Sequence, residues 1–357
     1  MDIKGYLKLM VDKDASDMFF RAGAKVHIRL DGKIVAVDEK IMSLDEVNEA
    51  VKELTSNELR DFFQRNLDVD FGIYIPELKH RFRINIFMQR NWPALVIRNV
   101  RSVIQSFEEL NLPTEVLTKL SLENRGLVLL AGTMGSGKST TIASMIEYIN
   151  QHCQKHILTI EEPIEFIFED KNSIINQREL GLDVSSYAMA LRSLALQSPD
   201  VIYIANIRDY ETVASALTVA ETGALVLSTL HTINASQSVE RIINFFPPHQ
   251  HPEIRVRLSY LLKGVISLRL VPFKERLGRI PACEIMLLTP TISRLIRESK
   301  VWEIPQFIED GQVFGMQSFN QSLMNFVKEG KISEEEALNF SDNRDEFTLA
   351  LKGIRNR

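Results

Sequence analysis

The most specific chemistry in the sequence lies in one octapeptide, Gly132-Thr133-Met134-Gly135-Ser136-Gly137-Lys138-Ser139. It fits the spacing G-x-x-x-x-G-K-[ST] of a phosphate-binding P-loop. Glycines at these positions let consecutive backbone N–H groups curl inward around phosphate oxygens. A helix starting at the end of the loop adds its positive pole to the same point. Lys138 then reaches the β- and γ-phosphates, the Ser139 hydroxyl is a ligand for Mg²⁺, and residues Thr133 to Thr140 line the nucleotide. A glycine-rich turn with no ligand would carry the same glycines, so the flanks matter. Leu127 to Ala131 is an apolar run suited to a buried parallel strand. From Thr140 to Asn150, Ile142, Met145, Ile146 and Ile149 recur on one helical face. Strand, glycine loop and helix occur in the order that phosphate binding requires.

In a sheet of this kind ligands lie beyond the carboxyl ends of the strands. Polar residues at strand ends are therefore the next candidates. The strand read from His156 to Ile160 ends in Glu161-Glu162-Pro163. Beside Mg²⁺ such carboxylates stay ionised and suit the holding of metal-bound or attacking water. Taken alone, a surface pair at a turn is the plainer reading, and the P-loop tips the balance. The strand Leu225 to Leu230 ends at His231, which could contact a γ-phosphate or sense its loss. A hydrogen-bonded core or turn histidine is the plainer reading there. His156, His249 and His251 add no metal-ligand spacing. A third strand, Val201 to Ala205, opens after Pro199-Asp200 and runs into Asn206.

These elements belong to an alternating α/β region that begins near residue 114. Ser173 to Asn176 adds a short strand, Tyr187 to Leu196 a helix, and Glu211 to Glu221 a helix closed by Gly223. A mostly helical tail follows, broken by a hairpin-like stretch from Ile266 to Ile285. Residues 1 to 100 read as a smaller α+β unit. Ile3, Leu7, Met10 and Val11 mark an amphipathic helix, and Val26 to Val37 alternates around the turn signal Asp31-Gly32. Ser43-x-x-Glu46 is a capping box for a helix through Leu54, and Ser56 caps a second helix to Arg65. Val69 to Ile75, Arg81 to Met88 and Ala94 to Val100 read as strands. Alternation puts Arg81 and Arg83 on one sheet face; a solvated face and a phosphate-directed one are both open. Residues 101 to 113, with Asn111-Leu112-Pro113, read as a linker.

A chain of 357 residues suits two domains. Its 45% hydrophobic and 25% charged residues are those of a soluble globular protein. Apolar runs fall short of the ~20 residues a membrane helix requires, and the N-terminus lacks a signal-peptide pattern. Cys153 and Cys283 build neither a disulfide framework nor a Cys-x-x-Cys site, which suits a reducing cytoplasm. A net charge of −5 without an aromatic-interleaved basic stretch makes a nucleic-acid translocase the least fitting reading.

Ile157-Leu158-Thr159-Ile160-Glu161-Glu162-Pro163-Ile164-Glu165 resembles the acidic box of the secretion and type IV pilus ATPases. Asn176-Gln177-Arg178-Glu179, Leu191-Arg192-Ser193, Pro199 to Ile202, Ala220-Glu221-Thr222-Gly223 and Ser228 to Thr232 fit the same family. Asp14 to Asp17 and Arg81 to Asn85 match the N-terminal PAS-like domain of its pilus retraction branch. Thr291 to Glu298 resembles that branch's C-terminal retraction motif, and Gly315 to Phe319 the element after it. Gln89-Arg90, Gly181-Leu182-Asp183 and Arg241 to Pro247 lean to the PilU side of the PilT/PilU family.

The resemblance implies an α/β, RecA-like P-loop ATPase core over residues 114–357, a linker at 101–113 and a smaller PAS-like α+β domain over 1–100. It implies a homo-oligomeric, hexameric ring in the cytoplasm at the inner-membrane base of a pilus machine. The implied partners are a platform protein there and an active paralogous retraction ATPase. ATP would lie between the two domains, with Arg81, Arg83 and Arg98 approaching its phosphates; Arg192 and Arg208 are further candidates. A planar guanidinium suits charge developing on γ-phosphate oxygens. The four-cysteine zinc module usual in the extension motors cannot be built from Cys153 and Cys283.

One departure bears on turnover. The family's Walker B element ends its strand with Gly-Glu before Ile/Met-Arg-Asp, whereas Ala205-Asn206 precedes Ile207-Arg208-Asp209 here. Asn206 keeps the shape and can hydrogen-bond water, but it carries no charge and accepts no proton. Loss of a general base costs ~10²–10⁴ in rate, roughly 3–5 kcal/mol of barrier. Glu162 also stands where aspartate is usual, and Ala224 where a histidine is frequent. Glu161 could compensate as a second acidic group at the Mg²⁺. The expectation is intact ATP binding with weak or partner-dependent hydrolysis; the alternative is a non-catalytic ATP-binding assembly subunit of the pilus or type II secretion machinery.

Overall fold

The computed structural model describes residues 3–30, 33–78, 80–100, 103–193 and 197–352. The chain divides into two units, Met1–Val103 with Pro163–Ile167, and Ile104–Glu162 with Phe168–Arg357.

In the smaller unit, α1 (Ile3–Asp12) buries Ile3, Leu7 and Met10. It is followed by β1 (Asp17–Arg21), β2 (Lys25–Leu30) and β3 (Lys33–Ile41), then α2 (Leu44–Leu54) and α3 (Asn57–Asn66), then β4 (Asp68–Ile75), β5 (His80–Gln89) and β6 (Trp92–Val100). The strands form one antiparallel sheet in the order β3-β2-β1-β6-β5-β4. Both bonds of the expected capping box form: Glu46 N donates to Ser43 Oγ at 3.2 Å, and Ser43 N to Glu46 Oε2 at 2.9 Å. The β2–β3 hairpin also forms, although its expected turn, Asp31-Gly32, lies outside the described residues. Strand β1, between β2 and β6, has no counterpart in the sequence reading. It is five residues long and holds Phe19 outward between buried Met18 and Phe20, so its apolar residues do not alternate with polar ones.

The larger unit runs α4 (Thr114–Ser121), β7 (Gly126–Ala131), α5 (Lys138–His152), β8 (His156–Glu161), β9 (Ile174–Glu179), α6 (Tyr187–Ser193), β10 (Val201–Ile204), α7 (Tyr210–Thr222) and β11 (Leu225–Leu230). Then come α8 (Ala235–Asn244), α9 (His251–Leu261), β12 (Leu262–Pro272), β13 (Arg279–Leu287), α10 (Pro290–Arg297), α11 (Ile304–Asp310), α12 (Phe319–Lys328), α13 (Glu334–Phe340) and α14 (Arg344–Leu351). The sheet order is β13-β12-β7-β11-β10-β8-β9. All pairings are parallel except the β12–β13 hairpin. This is the RecA-like α/β arrangement that the sequence led us to expect.

Every residue of β7, β10 and β11 is buried, which is why they read as unbroken apolar runs. Gly223 closes α7 in the left-handed conformation, as expected. Helix α6 ends at Ser193, and the rest of the helix expected to Leu196 lies outside the described residues. Within the segment expected as a linker, Arg101 and Ser102 also lie outside them, while Phe107 and Leu112 are buried in the core of the larger unit. Ser144 of α5 donates to Gln105 O at 2.7 Å. The tail helices add a satellite core of Val271, Ile280, Phe319, Leu323, Ile332 and Phe347. Among the described residues no helix is long and apolar enough to cross a membrane.

Candidate nucleotide-binding site

Strands β7, β11, β10 and β8 are parallel neighbours, so their carboxyl ends share one edge of the sheet. The register pairs Ala131 with Leu230, Ser228 with Ile204, and Ile204 with Ile160. Gly132, His231, Ala205-Asn206 and Glu161 therefore leave the sheet side by side, where ligands of such sheets bind. Side chains extend this alignment past the regular pairing. Ser228 Oγ donates to Ile204 O at 2.6 Å, Thr229 Oγ1 donates to Ala205 O, and Ile207 N donates to Thr229 O at 3.2 Å.

The P-loop leaves β7 through Gly132, whose φ of 145° is open to glycine alone. A Cβ here would strike Ser136 Oγ and lie 2.7 Å from Leu268 O. Gly137, at φ 98°, is the N-cap of α5 and has no side chain to cap it. The first N–H groups of that helix are thus left for another acceptor. Ser136 Oγ is buried with no hydrogen-bond partner among the described residues. Lys138 is only 8% exposed, and its Nζ donates to Gly132 O at 2.7 Å and Thr133 O at 2.8 Å. The ammonium rests on carbonyls of its own loop, within reach of whatever the loop encloses. Thr133, Met134 and Gly135 are exposed at the rim; Ser139 and Thr140 are half-buried at the start of α5. An orphaned hydroxyl, an uncapped helix start and a turn that admits no Cβ fit phosphate.

Glu161, 4% exposed, accepts from Thr159 Oγ1 at 2.6 Å and Gln177 Nε2 at 3.0 Å, both at Oε1. Glu162 is exposed and pairs with Arg208 at 3.0 Å; an ion pair this open contributes ~0–1 kcal/mol. Asn206 Nδ2 lies 3.3 Å from His231 Nε2. With the amide donating, the imidazole proton sits on Nδ1. Burial, then Lys138, then Arg208 push the His231 pKa down, so the ring is neutral near pH 7. Asn206 Oδ1 is buried with no partner among the described residues. Arg208 thus borders both Glu162 and His231. Arg192 is exposed in the last turn of α6 and makes no hydrogen bond or ion pair among the described residues. Hydroxyl and carboxylate oxygens at Ser139 and Glu161 are the hard donors Mg²⁺ takes. Among the described residues no group of three or more His, Cys, Asp or Glu side chains could hold a metal ion.

The smaller unit carries the arginines on one face: Arg83 pairs with Arg98 in register, and Arg81 lies two residues along β5. Arg83 Nε donates to both oxygens of Asp70, at 2.9 and 3.0 Å, and its Nη2 also meets Asp70. Arg98 Nε donates to Asp17 Oδ1 at 3.3 Å, and Arg29 shares that carboxylate. Arg81 lies over Gly72, where a Cβ would meet its Nη2 at 2.5 Å. These cations are held in place by carboxylates and a glycine of their own sheet.

Several supporting residues escaped the sequence reading. Thr159 stands two residues before Glu161 on the same strand face, and that spacing could have found it. Gln177 reaches Glu161 only through the β8–β9 register, which pairs it with Thr159. Tyr187 opens α6 with a buried hydroxyl near Glu162 and Arg208, and no sequence pattern signals that.

Comparison with known proteins agrees with this geometry. The family model described as Type II/IV secretion system protein matches residues 2–339. The type IV pilus ATPase PilU of Pseudomonas aeruginosa is 39% identical over 352 residues, which is 99% of this chain and 92% of that protein. The PilT retraction ATPase of the same organism is 40% identical over 337 residues, 94% and 97% of the two chains. The crystal structure of the pilus retraction motor PilT with bound ADP superposes with a TM-score of 0.90 at 39% identity, covering 97% of this chain and 98% of the other. The chain belongs to the Type II/IV secretion system protein family, within its PilT/PilU branch of pilus retraction ATPases.

Proposed function

We propose that this protein is an ATP-binding motor subunit of type IV pilus retraction, with turnover that is weak alone or dependent on a partner. The carrying observation is the single sheet edge that holds the P-loop, Glu161 and the Asn206–His231 pair. ATP is the substrate: the P-loop amides and Lys138 grip its phosphates, and Glu161 and Glu162 hold the water that attacks. Ser139 and Glu161 would hold Mg²⁺, whose charge offsets that of the phosphates. Arg81, Arg83, Arg98 and Arg208 offer guanidinium groups to phosphate oxygens, and Arg192 is a weaker candidate because its side chain has no partner among the described residues. We assign residues 114–357 the ATPase role and 1–100 the arginine-bearing accessory role. By family membership the working form is a homo-oligomeric ring, hexameric and cytoplasmic, at the inner-membrane platform of the pilus, alongside an active paralogue.

Phosphate release tests this. Lys138→Ala should bind no ATP and release none, the natural protein should bind ATP and turn over slowly, and Asn206→Glu should be faster. Equal rates in the natural protein and Asn206→Glu would sink the weak-turnover reading; failure of the natural protein to bind ATP would sink the whole. One observation favours a second reading: the neutral amide at 206, with its neutral histidine, leaves that strand end without a base. An assembly subunit that binds ATP without hydrolysing it would have this composition. Retraction supported by this chain in a cell lacking the paralogue would exclude it.

A further inference from the structure

Glu161 is the last residue of β8, and the larger unit resumes at Phe168 after the excursion Pro163–Ile167. One side chain spans these two ends. Gln177 lies in β9, level with Thr159 of β8. Its Oε1 accepts from Phe168 N at 3.0 Å, and its Nε2 donates to Glu161 Oε1 at 3.0 Å. The two partners admit a single orientation of the amide, because a backbone N–H must meet the oxygen and a carboxylate must meet the NH₂ group. Thr159 supplies a second donor, its Oγ1 lying 2.6 Å from the same Glu161 oxygen. The backbone of Glu161 is held as well, since Leu180 N donates to Glu161 O at 2.8 Å. The neighbours of Gln177 on β9 are engaged elsewhere: Asn176 Oδ1 lies 2.8 Å from His156 Nε2, and Arg178 Nη2 donates to Asp183 O at 3.3 Å.

Two donors on one oxygen fix both the plane and the rotamer of the Glu161 carboxylate, which is only 4% exposed. A glutamine present only to satisfy Phe168 N–H would place no demand on its other end. Here that end is turned onto the carboxylate that closes β8. We propose that Gln177 is a positioning residue of the ATPase site, locking Glu161 in the orientation in which its carboxylate meets the metal–nucleotide. This rests on the ATPase reading above. Oε1 is committed to Thr159 and Gln177, so an incoming ligand is met through Oε2. Outer partners of this kind hold the geometry of a ligating carboxylate and set metal affinity. Because residue 206 is an uncharged amide, the aim of Glu161 bears more of the chemistry at this sheet edge.

The test uses the full-length protein with the non-hydrolysable analogue AMP-PNP and Mn²⁺ as the probe ion, beside phosphate release with MgATP. Electron paramagnetic resonance titration gives the Mn²⁺ affinity of the protein–nucleotide complex. Gln177→Met, close in volume but with neither the amide donor nor its acceptor, should weaken Mn²⁺ binding about tenfold and lower kcat by a similar factor. Affinity for the nucleotide without metal should stay within about twofold, because the P-loop is untouched. Thr159→Val removes the other donor and should shift Mn²⁺ binding in the same direction. In a Glu161→Gln background no carboxylate remains to aim, and Gln177→Met should change Mn²⁺ binding by less than about twofold. An equal loss in both backgrounds marks a purely structural glutamine and overturns the proposal, as does unchanged Mn²⁺ binding in Gln177→Met. Gln177→Asn, one methylene too short to span both partners, takes its place should the methionine variant not fold, with the same results expected. If the natural protein binds AMP-PNP no better than Lys138→Ala, the ATPase reading itself fails and carries this role with it; binding that is indifferent to Gln177 removes only the role.

Discussion

Glu284 lies in β13, only 7% exposed, and its Oε1 accepts from Ala235 N at 2.7 Å and Ser267 Oγ at 3.2 Å. It therefore pins the start of α8, which follows the His231 loop, to the β12–β13 hairpin. Burial raises its pKa from the ordinary 4.5 to about 7, with Asp342 adding to the rise and Ala235 N–H, Ser267 and Arg269 opposing it. The folded protein thus keeps a proton that the unfolded chain releases between those two values. Stability must fall as pH rises through this window and level off above it. The displacement amounts to about 3 kcal/mol at 1.36 kcal/mol per pH unit. Glu284→Gln keeps an acceptor for Ala235 but cannot ionise. Its new amide N–H₂ needs an acceptor, which costs about 1–3 kcal/mol if none is found. The variant should accordingly be less stable than the natural protein at pH 5 and about equal to it at pH 8. Differential scanning calorimetry at both pH values and constant ionic strength measures this. About 2.5 kcal/mol of the displacement develops between pH 5 and pH 8, because the unfolded carboxyl is already mostly ionised at pH 5; a domain of this size moves about 2–4 °C per kcal/mol, so the gap between the two proteins should change by about 5–10 °C. Other carboxylates titrate identically in both and cancel. Parallel curves would refute the reasoning, since they would mean that Glu284 is ionised at no cost in the folded state.

Gly132→Ala should abolish ATP binding and cost about 2–4 kcal/mol, because the added methyl meets the Leu268 carbonyl at a φ of 145°; fluorescent-nucleotide titration and thermal unfolding check both halves. Gly72→Ala should displace the Arg81 guanidinium from its place over β4 and match the turnover of Arg81→Ala, with Tm within ~2 °C of the natural protein. Steady-state kinetics on the two variants decides it, and a natural rate in Gly72→Ala speaks against a phosphate-directed Arg81. Burial pushes the Cys283 thiol up to about 12, so a maleimide at pH 7 should label Cys153 and leave Cys283 untouched until the protein is unfolded; mass spectrometry of the labelled peptides reads the order.

What was legible in the sequence is what depends on near neighbours. The capping box of Ser43 and Glu46, the glycines of 132–137 and the apolar runs of β7, β10 and β11 each act over a few residues, and each took the form their spacing implied. The groups that surround the strand ends depend on register and packing instead. Gln177 meets Glu161 because β9 lies beside β8, and His231 meets Asn206 because β11 and β10 run parallel with Ser228 level with Ile204. Arg98 and the Asp17 that holds it are 81 residues apart. The neutrality of Asn206 could be read from its letter; its partner, and the orphan oxygen that partner leaves, could not.

That partner makes a carboxylate at 206 more than a restored base. His231 Nε2 lies at hydrogen-bond distance, and Lys138 and Arg208 both act on the ring. A glutamate introduced at this point would favour the imidazolium, raising a pKa that burial and the two cations now hold down. Below that raised value the new carboxylate is tied up in an ion pair with His231 and is a poor holder of water. Above it, the ring is neutral and the carboxylate is released to act as a base. Asn206→Glu should therefore recover less than the full ~10²–10⁴ expected of a general base at pH 6, and more at pH 8. The natural protein, which has no carboxylate at 206 to release from the ring, should show no such rise from this source. Phosphate release measured for both proteins at the two pH values separates these outcomes. A gain from Asn206→Glu that is equal at pH 6 and pH 8 would mean that the histidine does not compete for the group at 206.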